Sequence, residues 1–123
     1  MRSAEVGVDP QMAIRDYLRA FEARDVHRCT AFYADDAVVQ FQFSRYGGHA
    51  AIASWHRERF DANLSVIRVD EVVVEDATVT VDAVVSSDRL RKWTFDSLSV
   101  RLTFALGEGL IRELKCDLRA TPW

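Results

Sequence analysis

Tyr17, His56 and Asp96 are the side chains in this sequence whose types and settings could carry acid–base chemistry. A tyrosine hydroxyl can stabilise a developing oxyanion by hydrogen bonding. An imidazole titrates near neutrality when solvated, which suits general acid–base work. Tyr17 stands beside Ile14, Leu18 and Phe21, which recur at helical spacing. His56 follows Ile52 and precedes Phe60 at four-residue spacing, on or beside a buried stripe. A histidine there is more often a satisfied core or rim side chain than a catalyst, so it admits both roles. Asp96 shares the alternation of Leu98, Val100, Leu102, Phe104 and Leu106. It reads either as a solvated strand-end acid or as a carboxylate at the rim or floor of a pocket.

Other polar clusters point to structure rather than chemistry. In "FYADDAVVQFQF", Asp35 and Asp36 read as exposed residues at a helix end and turn, just before a strand from Val38 to Phe43. That strand places Val39, Phe41 and Phe43 on one face. Cys29 and Cys116 form no CxxC and read as small buried thiols in a reducing compartment. His49 and His56 lie seven apart without the acid of an HExxH pattern, so no metal and no cofactor is expected. Asp117 shares a charged strand face with Glu113, Lys115 and Arg119. "SSDRLR" reads as a turn.

These residues need a scaffold, and the composition limits it. A chain of 123 residues, 49% hydrophobic, suits one domain spanning 1–123, with an ordered core from about residue 9 to 120. Sixteen basic residues are scattered among nineteen acidic ones without a basic stripe, which argues against nucleic acid. No apolar run approaches spanning length and the first residues form no targeting signal, so a soluble cytoplasmic protein with no membrane partner is expected.

Asp9-Pro10 predicts a helix start: an N-cap acid and proline at the first helical position. Asp25 can cap a second short helix through Val26, Cys29, Phe32 and Tyr33. Gly47-Gly48 break the chain before a third helix from about His49 to Phe60. "SVIRVDEVVVEDATVTVDAVVSS" predicts two β-branched strands joined near Glu75-Asp76-Ala77. "KWTFDSLSVRLTFAL" predicts a long strand, and Gly107-Glu108-Gly109 turn it into a last one from Leu110 to about Ala120. The order predicts an α+β fold: a curved antiparallel sheet covered on one face by three helices, with a cone-shaped hollow between.

"AIRDYLRAFEARDVHRCTAFYADDAVV", "GGHAAIASWH" and "GLIRELKCDLRA" resemble the nuclear-transport-factor-2-like superfamily. The SnoaL-like branch is the nearest in pattern, with ketosteroid isomerases and polyketide cyclases among its relatives. The resemblance runs roughly from Pro10 to Ala120 and implies the same cone-shaped fold. In ketosteroid isomerases a tyrosine on the first helix donates to the oxyanion, and Tyr17 matches it. Their carboxylate base falls at Phe41 here and their protonated second donor at Val100. The resemblance therefore argues against steroid isomerisation, since one role of that set survives. The handling of a carboxylic acid held neutral in an apolar site, well known for ketosteroid isomerase, has no counterpart at Val100.

The expected site is an apolar pocket lined by Tyr17, Phe41, Phe43, Trp55, His56 and Val100, with Asp96 near its edge. Two functions fit. One is a domain that binds a small apolar ligand. The other is a cofactor-free enzyme (isomerase, cyclase, dehydratase or epoxide hydrolase) in which Tyr17 donates and His56 or Asp96 carries the proton. Trp93 and Phe95 fall on the sheet face opposite Leu98, which predicts a homodimer through the outer face.

Overall fold

The computed structural model describes residues 9–92 and 97–119. Helix α1 spans Pro10–Glu22, and the Asp9 carboxylate caps it by accepting from Gln11 N at 3.0 Å. Its inward stripe is Ala13, Ile14, Tyr17, Ala20 and Phe21. Helix α2, Val26–Ala31, is capped by Asp25, which accepts from Arg28 N at 3.0 Å. Arg24, between the two helices, donates to Phe60 O and Asn63 Oδ1 and ties this corner to the end of the third helix.

Strand β1 runs Tyr33–Phe41 and β2 Ser44–Gly47; helix α3 follows at His49–Asp61. Strands β3 (Ser65–Glu75) and β4 (Thr78–Ser86) form a hairpin. A short helix α4, Asp88–Lys92, comes next, then β5 (Leu98–Gly107) and β6 (Leu110–Leu118). The sheet order is β2-β1-β6-β5-β4-β3. Neighbours are antiparallel except β1 and β6, which run parallel, so the sheet is mixed. The strands β3 and β4 carry register shifts between Val66 and Arg68 and between Val69 and Glu71. Such bulges bend and twist a strand, here at the edge nearest α1.

The α+β architecture matches the sequence reading, with differences that bear on the site. Asp35 and Asp36 do not end a helix. They are exposed residues inside β1, because the strand begins at Tyr33, which pairs with Ile111 of β6. The strand ends at Phe41, where Gln42 takes φ 56° and starts a tight hairpin into β2. Phe43 therefore sits at a hairpin tip and is fully exposed. It does not share the inward face of Val39 and Phe41. Within "SSDRLR", Ser86 ends β4 and Asp88 begins α4, so the stretch is not a simple turn. On β6 the irregularity opposite Ala105 and Leu106 shifts the alternation, so Ile111 faces inward and Leu110 outward. Asp96, Trp93 and Phe95 lie outside the described residues.

The core lies between the sheet and α1–α3. Ile14, Phe21, Ile52, Val81, Phe104 and Leu114 are all buried in it. Among the described residues no helix is long and apolar enough to cross a membrane.

Candidate functional site

A hollow of about 830 Å³ opens between the helical layer and the sheet. α1 contributes Tyr17 and Phe21, α3 contributes Trp55 and Arg59, β1 contributes Phe41, and β5 and β6 contribute Val100, Leu102 and Cys116. Glu58, Asp61, Arg89 and Asp117 stand on its exposed rim. The inward alternation of β5 explains Val100 and Leu102. Register pairing sets Leu102 opposite Cys116.

The expected wall residues divide. Tyr17, Phe41, Trp55 and Val100 line the hollow, and Phe43 does not. His56 is not on the wall; it is packed behind Tyr17 with no exposed surface. Its Nδ1 lies 2.8 Å from the carbonyl of Ile52 and its Nε2 2.7 Å from the Tyr17 hydroxyl. A carbonyl only accepts, so Nδ1 carries the proton and Nε2 accepts from Tyr17. The Tyr33 hydroxyl in turn donates to the Tyr17 oxygen at 2.8 Å. The result is a closed chain, Tyr33 to Tyr17 to His56 to the Ile52 carbonyl, with every polar atom satisfied.

The electrostatics agree with that closure. Burial lowers the His56 pKa to about 4, helped by the nearby Arg59 cation and opposed by the Ile52 bond, so the ring is neutral at pH 7. Burial likewise raises the Tyr17 and Tyr33 hydroxyls well above the ordinary phenol range. Rings meet Tyr17 edge-on from Phe32, Tyr33, Phe104 and His56, at 5.5–5.9 Å between centroids. Both cysteines are free thiols. Burial pushes each up to about 12, which leaves them poor nucleophiles near neutrality.

Two further side chains belong to this arrangement. Tyr33 lies beyond the second helix, which ends at Ala31, and the β1–β6 pairing turns its hydroxyl toward Tyr17. Arg59 falls four residues after Trp55, the spacing that stacks side chains on one helix face, and that signal could have found it. Its guanidinium lies 4.7 Å from the Phe41 ring centroid and 5.4 Å from that of Trp55. Among the described residues no group of three or more His, Cys, Asp or Glu side chains could hold a metal.

The sequence model of the SnoaL-like domain family matches residues 14–114. Among curated proteins none matches the sequence. Solved structures share the fold at low identity. A candidate polyketide cyclase from Sinorhizobium meliloti is 21% identical, over 89% of this chain and 100% of its own, with a TM-score of 0.76. The epoxide hydrolase/cyclase-like enzyme SalBIII, of pyran ring formation in the polyether salinomycin, is 14% identical over 89% and 90%, with a TM-score of 0.79. A candidate ketosteroid isomerase from Kribbella flavida is 13% identical over 93% and 80%, with a TM-score of 0.77. At these identities the likeness establishes the fold alone.

Proposed function

The chain belongs to the SnoaL-like domain family, and on that premise we propose that it binds a small, mostly apolar molecule in the hollow beneath its helices. The observation that carries this reading is the closed Tyr17–His56 pair. The hydroxyl that could have served an oxyanion is committed to His56, and the imidazole has both nitrogens engaged. Phe41 and Val100, at the positions matched to a base and a second donor, extend the apolar wall. Binding needs shape and apolar surface, and both are supplied. Steroid isomerisation needs a base and a second donor, and Phe41 and Val100 supply neither at the matched positions.

A second reading is an enzyme that works from the rim. Asp61 and Asp117 are carboxylates beside the hollow, and two of the structural neighbours bear names of cyclase or epoxide hydrolase type. Native mass spectrometry and a thermal-shift screen of small hydrophobic ketones, lactones and aromatics test binding. Val100→Phe, which fills the wall without adding charge, should abolish the hits while leaving the circular dichroism unchanged. Hits that Val100→Phe does not alter would remove the hollow from the reading. Turnover of an epoxide or polyketide-like substrate, lost in Asp117→Asn, would favour the second reading.

A further inference from the structure

Two buried donors on the hollow's helical wall have no partner among the described residues. Trp55 Nε1 and Arg59 Nη1 are closed to water and donate to no acceptor among the described residues. Trp55 is 4% exposed, and both side chains line the hollow from successive turns of α3. A buried donor left unpaired keeps its full desolvation penalty. An acceptor delivered by a ligand would remove it.

The charge on Arg59 narrows what that acceptor is. Its side chain is 17% exposed, and its one carboxylate contact among the described residues is Glu58 Oε1, at 3.5 Å from Nη2. That distance is at the limit of a hydrogen bond, and Glu58 faces solvent. The Nη1 edge of the guanidinium fork has no partner among the described residues. Phe41 and Trp55 present ring faces to the cation. Aromatic faces hold a guanidinium in place without neutralising it. A carboxylate at position 41 would stand close enough to pair with Arg59, whereas the Phe41 ring does not neutralise its charge.

Resting on the binding reading above, we infer that Arg59 and the Trp55 indole N–H form an anion-recognising head in the hollow, and that the ligand is an apolar body bearing a single carboxylate. A carboxylate matches the planar fork and can accept from the indole as well. Both nitrogens are closed to water, so the Arg59 head must turn off its stacked position to meet the ligand. Leu102, Val100 and Phe41 then enclose the apolar body. The acids Glu58, Asp61 and Asp117 oppose an anion, but they are exposed on the rim and screened over about 8 Å at physiological salt.

The test is calorimetry with matched probes. Phenyl, cyclohexyl, naphthyl and octyl bodies are each supplied as the carboxylate and as the methyl ketone. On wild type, at least one carboxylate should bind about 10- to 100-fold tighter than its ketone, the worth of a hydrogen bond to a charged group. Arg59→Gln should erase that ratio, with Arg59→Lys between. Trp55→Phe keeps a ring and should weaken the carboxylate by about 2- to 10-fold. Ketones that bind as tightly as their carboxylates would overturn the anion head and leave the apolar-binding reading standing. Carboxylates that bind only after Asp96→Asn would also overturn it, since Arg59 would then be paired from within. If no probe of either kind binds, the binding reading itself fails and this inference falls with it.

Discussion

The hydroxyl of Tyr17 lies 2.7 Å from Nε2 of His56, and that bond joins the first helix to the third at the floor of the hollow. Tyr33 extends it to the sheet. Three elements are thus held by one buried polar chain in an otherwise apolar core. Such a chain is stabilising only when every member is satisfied.

Tyr17→Phe should therefore act on stability. It removes one oxygen and leaves two buried groups, His56 Nε2 and the Tyr33 hydroxyl, without their partner. The expected loss is about 1–3 kcal/mol in urea unfolding. Ligand affinity should hardly change, because the hydroxyl is already committed. Unchanged stability together with weaker ligand binding would instead place the hydroxyl on the ligand.

Acid should weaken the fold in a window set by His56. Its pKa falls from 6.5 to about 4 on folding. Below 6.5 the unfolded chain takes up the proton first, so stability falls as pH drops from about 6.5 to about 4 and is fully present above it. The size is of order 3 kcal/mol for a shift of this extent. Urea midpoints measured from pH 7.5 to 4.5 check it. His56→Gln should flatten that slope; an equal slope in the variant would assign the acid sensitivity elsewhere.

Gly48 and Gly47 should respond differently to alanine. Gly48 precedes α3 with φ 86° and ψ 164°, a region almost closed to other residues. The space around it is open, the nearest atom to an added Cβ being Asp35 O at 3.9 Å. Gly48→Ala should cost about 1–3 kcal/mol from backbone strain alone. It should also weaken ligand binding, since α3 carries Trp55 and Arg59. Gly47 has nothing within 4 Å of such a Cβ, so Gly47→Ala should be close to neutral in the same unfolding assay.

The outer sheet face is proposed as the contact of a homodimer. Thr103 lies at its centre, between Thr80 and Lys115. Sedimentation velocity at micromolar concentration should show a dimer for wild type and a monomer for Thr103→Arg. A monomeric wild type ends the proposal.

No steroid isomerase activity is expected. Loss of a positioned base alone removes about 10²–10⁴-fold in rate. Turnover of a Δ5-3-ketosteroid at rates near those of true isomerases would show that another group replaces the carboxylates absent from Phe41 and Val100.

Local pattern made much of this protein legible. Asp9-Pro10 and Asp25 announce helix starts because capping chemistry acts within one turn. The β-branched runs around Glu75-Asp76-Ala77 announce a hairpin because alternation and turn preference are also local. Helical spacing was enough to put Tyr17, Trp55 and His56 on buried stripes. What each of them touches was decided at long range. His56 meets a hydroxyl 39 positions away, and Tyr33 one that is 16 away. The parallel pairing of β1 with β6 places Tyr33, and the turn at Gln42 sends Phe43 outward. Neither pairing partner nor strand register is written in the period of a single segment; each is settled by which buried faces fit together. The same packing leaves Arg59 between two rings with one edge of its fork unpaired among the described residues. A sequence pattern can place such a cation on a helix face, but only the assembled walls determine whether anything answers its charge.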